Sequence, residues 1–109
     1  KSVLKALRFI HANVDRKLQV ADVLEHVPLS RRLLEQRFKN MTGMSIYSYI
    51  STLRMERFAY LLLSSNDSVS DIAARLDEFD TKSISRRFKA IKGYTPSEFR
   101  KIELRKLGV

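Results

Sequence analysis

The tripeptide Arg37-Phe38-Lys39 recurs 50 positions later as Arg87-Phe88-Lys89, and at the same offset Gly43 recurs as Gly93 and Ser45 as Thr95. Upstream the offset shortens by one, where Val20, Asp22 and Val23 match Val69, Asp71 and Ile72. A duplication of this kind dictates two similar units, the second with a turn one residue longer. In each copy a short apolar-periodic stretch precedes a longer basic one across a turn, the arrangement of a helix-turn-helix.

Apolar spacing predicts seven helices and no strand. Val3 or Leu4, Leu7, Ile10 and Val14 mark the first; Val20, Val23, Leu24 and Val27 mark a short second, stopped by Pro28. Ser30 can cap a third, with Leu34, Phe38 and Met41 on its inner face and Gly43 ending it. A long fourth runs from about Ser45 to Leu63, with Ile46, Tyr49, Ile50, Leu53, Leu61 and Leu62 inward. After a polar break, Ser68 caps a fifth, lined by Ile72, Ala73 and Leu76, with Asp71 in its first turn. The sixth spans Thr81 to Lys92, with Ile84, Phe88 and Ile91 inward and Gly93 closing it. Thr95-Pro96-Ser97-Glu98 opens the seventh as a capping box with Pro at the first helical position.

The fold expected is therefore all-α: two helix-turn-helix subdomains, homeodomain-like units of residues 1–44 and 65–109, joined by a long helix over 45–64. The 109 residues carry 21 Lys and Arg against 12 acids, a formal charge of +9, which draws polyanions by counterion release. With no Cys there is no disulfide framework, thiolate zinc site or Cys nucleophile, in keeping with a reducing cytoplasm. No apolar run is long enough for a membrane span. A chain that opens at Lys1 directly into a helix reads as a piece of something longer.

Each repeat's second helix is two-faced. Behind Leu34 and Phe38 lie Arg31, Arg32, Glu35, Gln36 and Lys39; behind Ile84 and Phe88 lie Thr81, Lys82, Ser85, Arg86 and Lys89. Thr81 to Lys92 holds five basic residues and no acid. One charged stripe is the ordinary solvated face of a helix. Two such stripes, at matched positions of a helix-turn-helix repeat, favour insertion of both helices into the major groove of double-stranded DNA. There Arg forks onto guanine and Gln onto adenine, while Ser, Thr and Lys at the edges hold phosphates. Glu35 either accepts from a cytosine amino group or holds Arg31 or Lys39 as an i,i+4 partner. A fourth helix of 19 residues spans about 28 Å, against about 34 Å between successive major-groove faces. It would act as a strut setting two reading heads one duplex turn apart, with a slight shortfall bending the DNA.

Other chemistries find little support. His11 and His26 stand apart, with no partner at metal-ligand spacing, so packing or surface roles are expected and no metal or cofactor is implied. Asp77, Glu78 and Asp80 cluster without a general-acid partner. Met41, Met44 and Met55 read as core or near-core fillers. No nucleophile–base set is present, which disfavours an enzyme. A sequence-blind basic module for RNA, nucleoid or anionic membrane would have no need of two matched reading heads.

The run Leu29-Ser30-Arg31-Arg32-Leu33-Leu34-Glu35-Gln36-Arg37-Phe38-Lys39 with Thr42-Gly43 resembles the C-terminal domain of the AraC/XylS family of bacterial transcription regulators. So do Ile72-Ala73, Phe88-Lys89, Gly93, Thr95-Pro96 and Phe99-Arg100; the likeness covers about Leu18 to Arg100. The first run is especially similar to the xylose-operon regulators of that family, which carry a sugar-binding domain upstream. The resemblance implies base-reading positions at Arg32, Glu35 and Gln36 in the first unit and at Thr81, Lys82, Ser85 and Arg86 in the second. It implies phosphate contacts from Ser30, Arg31, Lys39 and Lys89. The implied role is promoter binding in the bacterial cytoplasm, at the nucleoid, by an activator whose effector domain lies elsewhere. RNA polymerase would be a further partner, and dimerisation would run through the missing domain. Three departures stand out. Asp77-Glu78 occupies the place of the family's Gly-Phe in the second turn, with Phe79 expected to supply the aromatic in a shifted register. Ile84 replaces an aromatic in the second reading helix, and Phe58 replaces a small residue of the long helix, implying a repacked core.

Overall fold

In a computed structural model describing residues 1–108, the described residues form seven helices and no strand. They are α1 (Ser2–Ala12), α2 (Val20–His26), α3 (Arg31–Thr42), α4 (Ile46–Ser64), α5 (Val69–Arg75), α6 (Thr81–Lys92) and α7 (Pro96–Lys106). Local chemistry sets the boundaries. The side chains of Ser30, Ser68 and Thr95 accept from backbone amides three residues on, satisfying donors that the first turn leaves open. Thr95 and Glu98 complete a capping box ahead of α7. Gly43 and Gly93 end α3 and α6 in the left-handed region, at φ of 78° and 88°, where a side chain would be strained.

The chain forms two compact units, Lys1–Leu53 and Arg54–Val109, divided inside α4. In the first, Val3, Ala6 and Ile10 of α1, Val23 of α2, Leu34 and Phe38 of α3, and Ile46 and Ile50 of α4 make one buried cluster, with Leu18 and Val27 from the connections. Tyr49 is half-buried and sets its ring edge-on to Phe38, 5.4 Å between centroids. Burying a side chain the size of Phe38 contributes about 1.5–3 kcal/mol.

In the second unit, Met55, Phe58, Ala59, Leu61 and Leu62 of α4 pack with Ile72 and Ala73 of α5, Leu76, and Ile84 and Phe88 of α6. Phe58 is fully buried, 5.5 Å from the Phe88 ring, and Phe99 of α7 meets Phe88 at 5.3 Å. The three rings meet tilted and edge-on, and Phe58 fills the second core from α4. Arg100 of α7 donates from Nε to the Leu62 carbonyl at 2.8 Å and from Nη2 to the Ser65 carbonyl at 3.2 Å. It thereby satisfies backbone acceptors at the end of α4.

Several expected core positions lie elsewhere. Val3 rather than Leu4 faces the first core; α1 stops at Ala12, leaving Val14 beyond it. Met41 and Ile91 are exposed, at 58% and 40%. They are equivalent in the repeat, each in the last turn of its helix. Met55 is fully buried, as a core filler should be, and Arg54, which sequence reading assigned to neither face, is buried too.

Candidate nucleic-acid interface

Each candidate reading helix is anchored by its apolar face and offers its polar one. In α3, Leu34 and Phe38 are fully buried, while Ser30, Arg31, Arg32, Gln36 and Lys39 are exposed. The Ser30 Oγ accepts from the Leu33 amide at 3.3 Å, so its own hydroxyl proton stays available to a phosphate oxygen. Glu35 is half-buried and engaged within the protein. One carboxylate oxygen lies 3.9 Å from Arg31 Nη2, and the other accepts from the Ile46 amide at 3.4 Å, at the start of α4. Of the roles open to Glu35, the intramolecular one with Arg31 is the one visible here.

In α6, Ile84 and Phe88 are fully buried, Lys82, Arg86 and Lys89 are exposed, and Thr81 and Ser85 are half-buried. Asp80, Thr81, Lys82, Ser85 and Arg86 line an open recess at the N-terminal end of the helix. The structure thus brings the second unit's four candidate base readers together on one surface. Asp80 is the N-cap, its Oδ1 accepting from the Ser83 amide at 3.1 Å. Sequence reading left Asp80 in an acidic cluster; the signal was an Asp directly before the basic helix.

The turn ahead of α6 is built differently from the expected one. Asp77 takes a left-handed φ of 62°, unusual for a residue with a side chain, though Asp tolerates it better than most. The Glu78 amide returns to the Ala73 carbonyl at 2.8 Å, turning its side chain into the interior. There its Oε2 accepts from Arg54 Nη2 at 2.8 Å and its Oε1 from Arg87 Nη2 at 2.9 Å. Arg54 Nη2 also donates to the Leu76 carbonyl at 2.5 Å. Burial alone would raise the Glu78 pKa; hydrogen bonds from Arg87 and then Arg54, with their charges, outweigh it and hold the carboxyl below its ordinary value.

Phe79 does not supply a shifted aromatic. With Glu78 occupying the interior, Phe79 projects outward and is 77% exposed. The two copies of the Arg-Phe-Lys motif also differ in role. Arg37 is exposed, whereas Arg87 is tied to Glu78. Elsewhere, His11 Nε2 lies 2.8 Å from the Tyr49 hydroxyl and His26 stacks on Phe9 at 4.4 Å, both packing arrangements. Among the described residues no cluster of His, Cys, Asp and Glu could hold a metal ion, and no helix is long and apolar enough to cross a membrane.

Residues 23–102 match the family of helix-turn-helix domains HTH_18. A relative from Streptococcus mutans, the Msm operon regulatory protein, is 35% identical over 86% of this chain, which covers 34% of that protein. The chain thus spans about a third of the length of this relative, and likewise of the F1 operon positive regulatory protein of Yersinia pestis, to which it is 34% identical over 93% of its length. Among solved structures, the C-terminal domain of AraT, a response regulator from Geobacillus stearothermophilus, superposes with a TM-score of 0.86 at 27% identity. That match covers 93% of this chain and 84% of the other. A xylose-binding transcription activator matches at a TM-score of 0.80 and 29% identity, over 93% of this chain and 27% of its own.

Proposed function

Because this chain belongs to the AraC/XylS family of helix-turn-helix DNA-binding domains, a family of transcription regulators and not of enzymes, we propose that α3 and α6 each read one short box of a bacterial promoter. The observation that carries this reading is the pair of polar faces at equivalent helices, each anchored from behind by two fully buried side chains, Leu34 and Phe38 in α3 and Ile84 and Phe88 in α6. Residues 1–44 and 65–109 carry the two readers, and 45–64 joins them.

In the first box Arg32 forks onto guanine O6 and N7 and Gln36 onto adenine N7 and N6. Glu35 anchors Arg31 at the same face, which its two intramolecular contacts support. In the second box Thr81, Lys82, Ser85 and Arg86 meet base edges from the recess that they line with Asp80. Ser30, Arg31, Lys39 and Lys89 hold phosphates and fix the register.

The parent regulator is an activator of the bacterial cytoplasm, working at the nucleoid and engaging RNA polymerase. A domain outside this chain senses a small molecule, a sugar being favoured by the xylose-binding relative, and mediates dimerisation. The test is competition. A duplex selected by this chain should remain bound against a large excess of random duplex. Displacement by random duplex in proportion to its concentration would refute sequence reading.

A further inference from the structure

Among the described residues Phe79 is the most exposed large apolar side chain, at 77%. It stands directly before Asp80, which caps α6 and lines the recess together with Thr81, Lys82, Ser85 and Arg86. Its exposure has a structural cause. The preceding residue, Glu78, is drawn inward by Arg54 and Arg87, and the left-handed Asp77 sets the chain direction for that turn. The ring is held outward by a turn with buried ionic anchors.

An aromatic ring at this place carries an unfavourable hydration free energy in the unbound protein, which burial against an apolar partner recovers. The surroundings narrow the partner. Lys82, Arg86 and Lys89 make the adjoining face cationic, suited to a polyanion and not to a cationic or purely apolar surface. A major groove presented to that face offers one apolar group, the thymine C5 methyl, which side chains such as Phe contact. The N-terminal residues of a recognition helix are those that contact base edges, and Phe79 extends that end by one residue beyond the cap.

We propose that Phe79 is a specificity-determining residue whose ring packs against the C5 methyl group of a thymine in the second box. This rests on the DNA-reading role proposed for α6 and adds an apolar contact to the hydrogen bonds that the polar readers supply.

Replacing thymine by 2′-deoxyuridine removes only that methyl group. With a duplex selected from a random pool, each thymine of the second box is replaced in turn and binding is measured for the natural chain and for Phe79→Ala. One replacement should weaken the natural chain about 4-fold, the worth of one buried methyl-sized group. The same replacement should leave Phe79→Ala unaffected, while Phe79→Leu keeps part of the sensitivity. Equal sensitivity in the natural chain and Phe79→Ala would overturn the proposal while leaving the reading role of α6 intact. So would insensitivity of the natural chain at every thymine, or a second box with none. A pool that yields no second box would overturn both.

Discussion

Glu78 and Arg54 form a buried ion pair, with 2.8 Å between Oε2 and Nη2 and side-chain exposures of 3% and 4%. Arg87 closes the other side of the carboxylate at 2.9 Å, so one acidic group ties α4, the turn and α6 together. Removing one partner of a buried pair exposes the cost of the charge left behind, about 3–5 kcal/mol. Glu78→Ala is expected to destabilise the second unit by that order. Amide hydrogen exchange should show protection lost across α5 and α6, with α1 to α3 amides unchanged. An unchanged exchange profile would mean that the carboxylate contributes nothing to holding the turn.

The same carboxylate gives an acid dependence with a definite sign. Its folded pKa lies below the ordinary value of 4.5, because the two arginines outweigh desolvation. A carboxyl depressed in the folded state contributes stability that is present above its unfolded pKa and lost as pH falls through the folded one. Stability should therefore be flat near neutrality on this account and fall below about pH 4.5. Glu98, whose pKa is lowered chiefly by a hydrogen bond from the Thr95 backbone, acts in the same direction. Denaturant unfolding of Glu78→Gln across that range should show a shallower acid slope than the natural chain; an identical slope would argue against a depressed Glu78.

Base reading and phosphate holding separate by their response to sequence and salt. Arg32→Ala should cost about 1–3 kcal/mol on the selected site and relax preference at one base pair. Lys39→Ala should weaken every duplex alike and reduce the salt slope by about one. Binding isotherms at several salt concentrations on selected and random duplexes measure both. Equal loss on both duplexes for Arg32→Ala would move it to the phosphate group of contacts.

Phe58 is fully buried against Phe88, which in turn meets Phe99. Truncating Phe58 to Ala removes the middle of α4's contribution to the second core and leaves a cavity, at about 3–5 kcal/mol. Chemical denaturation should report this as a lower midpoint. A shift below about 1 kcal/mol would mean that the site collapses around the smaller residue.

Much of the architecture is legible because its signals are local. Ser30, Ser68 and the Thr95-Pro96-Ser97-Glu98 box act within four residues, and Gly43 and Gly93 meet a backbone need that few other residues can fill. The repeat ties Leu34 and Phe38 to Ile84 and Phe88, and all four are buried. What escapes sequence reading depends on distance. Met41 and Ile91 share the direction of those apolar residues, but periodicity gives a direction around the helix and no depth, and both lie exposed in the last turn of their helices. Glu78 looks like one more surface acid because its partners, Arg54 and Arg87, are 24 and 9 residues away in sequence. Once Glu78 turns inward, Phe79 cannot, which is why a shifted aromatic is absent from the core. For Glu35, the Arg31 contact is readable from the i,i+4 spacing, whereas the Ile46 amide is not.

The central claim is that α3 and α6 each read bases. The direct measurement is selection of bound duplexes from a random pool by the natural chain, by Arg32→Ala and by Arg86→Ala. The natural chain should select two boxes; Arg32→Ala should lose sequence information in the first box alone and Arg86→Ala in the second alone. A single box for the natural chain, or variants that select the same two boxes with undiminished preference, would contradict the account.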